Sequence, residues 1–349
     1  MTKNVAAHSA RPLSVFCLLP TLNPYGGVVS VVNLLNLLVL EGHSVTLASL
    51  TKHPHDPVGC LTEPVYSPLG SGLGDVVPRD VDILLATSWE TVAPIVDVSS
   101  QHPDARTWYF VQDIEADFYN DDRRTQALAT YEAIDRRFVK TRFLQRRLRE
   151  LGYGAELVRP GMNLDIFYPR DLQRTPASVL AMARPPKAGE ADHRGFATLL
   201  GVYRSLAERR PEINLMVFGN PDSIDWPIPV ESYGRIEPSK LPGLYSSASV
   251  YLDSSQTHGF GRTGVEAMAC GAVAVMTRSG GVEDYAVDGE NALLCPVDEV
   301  AMIVEAIERV IDDPELATTL QQGGFDTVKN FDDRVACEEV LALWRASLE

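Results

Sequence analysis

The stretch HGFGRTGVEAMACGA, residues 258–272, brings a histidine, two glycines and a carboxylate close together. Gly259 and Gly261 flank Phe260, a helical pattern of small and apolar residues begins near Thr263, and Glu266 lies eight positions after His258. Glycines let a backbone approach a ligand closely, and the N–H groups at a helix start carry the positive end of its dipole, so this loop suits a phosphate. A carboxylate in the first helical turn is itself stabilised there and can accept hydrogen bonds from a sugar diol. The 2′,3′-diol of a ribose is the partner this implies. Loop and carboxylate together would read the two chemically distinct ends of a nucleoside diphosphate.

Such a loop must be carried between a strand and a helix. Short apolar runs alternate with helical patterns along the whole chain, the mark of parallel sheets with helices on both faces. LSVFCLLP (13–20), SVTLASL (44–50), VDILLAT (81–87) and TWYFVQD (107–113) read as a first set of strands. After the first comes a turn at Tyr25-Gly26-Gly27 and a helix from Val28 that closes at Gly42 in a left-handed cap. YEAIDRRF and RFLQRRLRELG read as helices, and the stretch from 158 to 176, with Pro160, Pro169 and Pro176, reads as linker. A second series follows: SVLAMAR (178–184), a helix around FATLLGVYRSLAERR, INLMVFG (213–219), a helix at SKLPGLYSSA, SVYLDSS, the glycine loop with its helix, and AVAVMT (272–277). Helical segments at 298–312, 314–329 and 332–348 finish the chain. For 349 residues this predicts an α/β protein of two Rossmann-like, doubly wound parallel-sheet domains facing a cleft. Residues 1–165 form the first, 166–331 the second, and the last helix, within 332–349, crosses back to the first.

The formal charge of −16 and isoelectric point near 4.9 argue against nucleic acid, whose phosphates need concentrated Lys and Arg. The imbalance is uneven: residues 1–165 hold 15 basic and 19 acidic side chains, the remainder 16 and 28, so an anion is better received by the first half. Cys17, Cys60, Cys270, Cys295 and Cys337 are scattered without a CxxC pair and read as reduced thiols. Residues 1–12 are polar, with no apolar core of a signal peptide, and the longest apolar run, 28–40, is shorter than the ~20 residues a membrane span needs. A cytoplasmic protein is the expectation. Seven cations between 136 and 149 (Arg136, Arg137, Lys140, Arg142, Arg146, Arg147, Arg149) have two readings: a solvated helix face, or a basic edge meeting an anionic acceptor or the inner membrane surface. Asp80 and Asp82 spell a DxD, a pattern that can hold a divalent cation, but they precede their strand and so lie away from the cleft.

The run GFGRTGVEAMACGAVAVMTRSGGVEDYAVDGENALLCP resembles the C-terminal donor site of GT-B glycosyltransferases of the family 4 type. LNPYGGVVSVVNLLNLLVLEGHSVTLAS is similar to that family's N-terminal Gly-Gly loop and helix, PGMNLDIFYP to its interdomain signature, and YGRI with LPGLYSSASVYLDSS to its base-binding region. YFVQDIEADFY is similar to a subset that transfers rhamnose in surface-polysaccharide assembly. The resemblance implies retaining, metal-independent transfer of a hexose or deoxyhexose from a UDP-, GDP- or dTDP-linked donor to a glycan or lipid-linked acceptor, with no cofactor. It makes Glu266 the ribose ligand and gives the backbone of Gly259, Phe260, Gly261, Arg262 and Thr263 the donor sugar and phosphate. Arg184 and Arg194 take the place of the basic pair on the diphosphate, which accounts for the missing metal. Gly26 and Gly27 would face the phosphates from the other domain, and Arg235 with Ile236 would hold the base.

Two positions depart from the pattern. His258 stands where the family carries a first glutamate, which changes the sugar that fits. Gln112 stands where the family carries a histidine; an amide polarises a hydroxyl but takes no proton, so Asp113 beside it is the charged group nearest the anomeric centre. Asp113, Gln112 and His258 are the catalytic candidates. The departures also leave open a non-catalytic partner subunit that binds the nucleotide sugar; an epimerase is a separate alternative on the same fold. An NAD-dependent oxidoreductase is disfavoured, since the first turn lacks GxGxxG and SVTLASL lacks an acidic residue for an adenosine ribose.

Overall fold

A computed structural model describes residues 11–52, 59–68, 72–219 and 224–349; the polar run read over residues 1–12 lies, up to residue 10, outside them. Ser14–Leu19 (β1), Ser44–Ser49 (β2), Val65–Tyr66 (β3), Ile83–Ala86 (β4), Arg106–Phe110 (β5), Arg136–Val139 (β6) and Glu156–Leu157 (β7) form one sheet in the order β3-β2-β1-β4-β5-β6-β7. Ser178–Ala183 (β8), Asn214–Gly219 (β9), Glu231–Ser232 (β10), Val250–Asp253 (β11), Val273–Thr277 (β12) and Leu293–Cys295 (β13) form the other, in the order β10-β9-β8-β11-β12-β13. Every strand pair is parallel. The connecting helices in the first half are Gly26–Leu40 (α1), Leu73–Val76 (α2), Trp89–Ser99 (α3), Arg123–Ala133 (α4) and Arg142–Glu150 (α5). Phe196–Arg209 (α6), Leu241–Ser247 (α7), Arg262–Ala269 (α8), Val300–Asp312 (α9), Pro314–Val328 (α10) and Asp333–Leu348 (α11) follow.

A parallel sheet with helices on both faces buries both rows of side chains, which is why β1, β4, β11 and β12 are mostly apolar without alternation, polar only at an end, and buried at every position. In each sheet the strand order reverses once, between β1 and β4 and between β8 and β11. Ligands collect beyond the carboxyl ends of strands at such switch points. The Gly26-Gly27 turn follows β1, Arg184 follows β8, and the loop with His258 and Gly259 follows β11, so the fold sends all of them to one cleft.

α11 crosses back as expected. Cys337, Val340, Leu341 and Trp344 join the core formed by α1 and the first sheet, and Arg106 and Trp108 donate to the backbone carbonyl (2.7 Å) and hydroxyl (3.3 Å) of Ser347. Burying side chains of this size is worth ~1.5–3 kcal/mol each, enough to hold a terminal helix to a distant domain.

YEAIDRRF is not one helix. α4 stops at Ala133 and β6 begins at Arg136, paired with Trp108 of β5. Phe138 and Val139 are fully buried, and the Arg137 guanidinium donates to the carbonyls of Tyr131 (2.6 Å), Ile134 and Gly154 (2.9 Å), so tertiary burial overrides the helical pattern. The seven cations therefore do not form one basic helix face. Arg137 and Lys140 are buried, Arg147 pairs with Asp117 (3.7 Å) and Glu150 (2.7 Å), and the reading of a basic edge on 136–149 loses its geometry.

Candidate active site between the two sheets

Glu266 does not sit where the sequence pattern puts it. α8 starts at Arg262 after Gly261, whose φ of +83° is left-handed, so Glu266 falls in the second turn, beyond the helix-end N–H groups. Its stabilising partner is a side chain: Arg262 Nε donates to Oε1 at 2.6 Å, and the Tyr245 hydroxyl donates to Oε2 at 3.3 Å. Burial raises the carboxyl's pKa, and Arg262 and Tyr245 pull against that rise. The Arg262 guanidinium also reaches Ser30 (3.3 Å) and the Gly161 carbonyl (3.4 Å), while its buried Nη2 has no hydrogen-bond partner among the described residues.

Arg184 and Arg194 lie close enough for the charge of one to act on the other. Burial and the charge of Arg194 both lower the Arg184 pKa, and its guanidinium lies 5.1 Å from the ring of Tyr25, which precedes the Gly26-Gly27 turn. Burial takes the neighbouring His193 imidazole down to about 3, helped by the charges of Arg194 and Arg184. Arg194 Nη1 contacts His258 Nδ1 at 2.9 Å, and its buried Nε has no hydrogen-bond partner among the described residues. An arginine can only donate, so Nδ1 accepts and the ring proton is on Nε2, which donates to Asp253 Oδ2 at 2.9 Å. Burial would raise the Asp253 pKa, but His258, Ser255 and Arg194 hold it well below the usual carboxylate range. Both nitrogens of His258 are thus spoken for, and neither is free for a sugar hydroxyl.

From the first domain, Gln112 and Asp113 come just past the end of β5. Lys140 Nζ donates to Gln112 Oε1 at 3.2 Å, and Gln112 Nε2 packs beside Gly27. Lys140 is buried at the end of β6; burial lowers its pKa to about 8, with Asp113 opposing and Arg262 and Arg194 adding to the fall. Asp113 Oδ1 accepts from the backbone N–H of Gly259, and Thr141 donates to the Gly259 carbonyl at 2.7 Å. The small size of Gly259 serves this contact between domains. A Cβ there would lie 1.9 Å from the Gln112 carbonyl oxygen, and one on Gly261 would lie 2.4 Å from Val282 Cγ1. The sequence reading gave both glycines to a phosphate. Here each makes room for protein, and the Gly259 amide and Asp113 occupy one another.

The other sequence candidates divide. Thr263 donates to Asp253 at 3.2 Å, and Gly26 and Gly27 open α1 facing Arg262 and Gln112. Phe260 is buried against Tyr285 and Phe331, with ring centroids 5.5 Å apart in each case. Arg235 is exposed and Ile236 leans on the second domain's core. Asp82 is committed at the opposite end of its strand, accepting from Arg11 (2.5 and 2.9 Å) and the Ser14 amide (2.8 Å). Asp253 and Lys140 are the site residues the sequence reading missed. Asp253 could have been found as the lone acid closing the apolar strand SVYLD, whereas Lys140 was hidden within the basic run. Among the described residues no helix is long and apolar enough to cross a membrane.

Residues 190–326, which include Arg194, His258, Arg262 and Glu266, match the family model described as glycosyl transferases group 1. A D-inositol 3-phosphate glycosyltransferase of Catenulispora acidiphila is 28% identical over 56% of this chain and 54% of its own length, and another of Acidothermus cellulolyticus is 28% identical over 62% and 54%. The chain thus spans about half the length of the curated relatives it matches. Among solved structures, HepE of Anabaena in complex with UDP and glucose superposes with a TM-score of 0.78 at 15% identity, covering 96% of this chain and 100% of that one. Sucrose-phosphate synthase from Thermosynechococcus elongatus gives 0.75 at 20% identity, covering 95% and 98%. The architecture is that of the GT-B glycosyltransferases.

Proposed function

We propose that this GT-B chain is a retaining, metal-independent glycosyltransferase that moves a hexose or deoxyhexose from a nucleoside diphosphate to a hydroxyl of a glycan or lipid-linked acceptor. One observation carries the reading: Arg184 lies within reach of the charge of Arg194, Arg262 is bonded to Glu266, and buried N–H atoms on Arg194 and Arg262 have no hydrogen-bond partner among the described residues. Buried donors left unpaired are costly, and a diphosphate would satisfy them. Fixed guanidiniums would neutralise the departing diphosphate as a divalent cation otherwise does. The bond from the anomeric carbon to the phosphate oxygen breaks, a bond to the acceptor oxygen forms on the same face, and the acceptor's proton passes to the leaving phosphate. That route asks for no general base, which agrees with an amide at Gln112 and with Asp113 engaged by Gly259.

Thermal unfolding of the purified chain with UDP, GDP, dTDP and their sugars tests the reading, since a ligand at 100 times its Kd adds ~2.7 kcal/mol. Stabilisation by one nucleoside diphosphate, lost in Arg184→Ala and Arg194→Ala, is expected, with transfer that persists in a chelator. Binding without transfer to any acceptor would make the chain a non-catalytic partner. Turnover of the donor without acceptor would point to the epimerase.

A further inference from the structure

We propose that Asp253 and His258 are positioning residues that aim Arg194 at the donor's diphosphate while leaving its positive charge unneutralised; this rests on the function proposed above. A carboxylate touching Arg194 would hold it equally well but would cancel the charge that a diphosphate needs. His258 offers a neutral acceptor instead, with Nδ1 2.9 Å from Arg194 Nη1. The counter-charge is displaced to the far side of the ring, where Asp253 Oδ2 accepts from Nε2 at 2.9 Å, and attraction falls with that distance.

Each link is held by the next. Asp253 is fixed by the Ser255 amide (3.1 Å) and the Thr263 hydroxyl (3.2 Å). The His258 backbone is fixed by its N–H to the Ser279 carbonyl (2.7 Å) and its carbonyl from Gly281 N–H (2.8 Å). His258 is 4% exposed and Asp253 6%, so neither ring nor carboxylate is free to reorient in water. At the far end of the relay stands the buried Nε of Arg194, a donor that has no hydrogen-bond partner among the described residues.

The test uses Asp253→Asn, His258→Ala, His258→Asn and the double variant Asp253→Asn/His258→Asn in the full chain. In Asp253→Asn the new amide can donate to Nε2, which moves the ring proton to Nδ1 and sets two donors against each other. In His258→Asn the amide oxygen lies where Nδ1 was and can accept from Arg194 without help from Asp253. Affinity for UDP, GDP and dTDP is measured by titration calorimetry, and affinity for uridine, guanosine and thymidine by NMR. Asp253→Asn and His258→Ala are expected to weaken the bound diphosphate by roughly 10- to 100-fold, the range of one charge-assisted hydrogen bond. The parent nucleoside's affinity should stay unchanged, which also certifies the fold. His258→Asn should recover most of the loss, and Asp253→Asn should cost nothing further in that background. Equal losses for nucleoside and diphosphate, absence of rescue, or additive costs in the double variant would overturn the relay. A wild-type chain that binds none of the three diphosphates would overturn it together with the proposed function, whereas tight binding unaffected by Asp253→Asn would overturn the relay alone.

Discussion

Gly259→Ala is a one-carbon change at the contact between the two domains, and its consequence can be worked out from the structure. The added Cβ would lie 1.9 Å from the Gln112 carbonyl oxygen and 2.6 Å from Asp113 Oδ1, whereas real Cβ contacts stay above 3.0 Å, so the facing backbones must part by at least about 1 Å. Gly259 does not have a positive φ, so alanine meets no backbone strain and each domain keeps its own core. Parting breaks the bond from the Gly259 N–H to the Asp113 carboxylate and the bond from Thr141 to the Gly259 carbonyl. A hydrogen bond to a charged group is worth ~1.5–3 kcal/mol and a neutral one ~1, so the closed arrangement loses roughly 2–4 kcal/mol, or about 30- to 1,000-fold in its population. Small-angle scattering should report a larger radius of gyration, far-ultraviolet dichroism no change, and sugar transfer a fall of ~10²-fold, the usual cost of a 1 Å misplacement. Gly154→Ala, where a Cβ would meet nothing within 4 Å, is the control and should behave as wild type. Unchanged scattering together with unchanged transfer in Gly259→Ala would refute the claim that this glycine exists to let the domains meet.

Glu266→Ala should cost ~3–5 kcal/mol of stability by leaving buried Arg262 without its partner, while Glu266→Gln, which keeps an acceptor, should cost less; chemical denaturation of both separates a folding defect from lost ribose contact. Arg184→Ala should weaken the nucleoside diphosphate by about tenfold or more and leave the melting temperature within a few degrees, because this guanidinium is held by no ion pair among the described residues; a large loss of stability would count against its role as a ligand group. Burial raises the Glu115 pKa to about 8, against its bonds from the Trp89 amide and the Tyr109 hydroxyl. The folded state therefore holds a proton that the unfolded state gives up above about 4.5, and the contribution of this group to stability falls as pH rises from there to about 8. Glu115→Gln should raise the melting temperature relative to wild type at pH 8 and change it little at pH 4.5; an equal effect at both would refute the assignment.

The alternation of apolar runs with helical patterns was enough to divide the chain into two parallel-sheet halves with a helix returning at the end, because burial on both faces of a strand leaves a local mark in residue type. The glycine loop and Glu266 stood out because they follow an apolar strand and open a helix, whereas Arg184 and Arg194 were singled out only through the resemblance to a known family. What pattern does not carry is the choice of partner. Arg137 reads as part of a basic helix until the carbonyls around it make a buried strand position satisfiable. Arg194 and His258 are 64 residues apart, and Asp113 and Gly259 are 146 apart. A hydrogen bond at that separation is settled only when packing of distant segments brings a donor and an acceptor within about 3 Å with no water between them, and neither composition nor periodicity encodes that distance. The tertiary structure alone therefore decided that Gly259 serves the meeting of the domains, that Glu266 is held by Arg262 instead of a helix end, and that Asp253 stands behind His258.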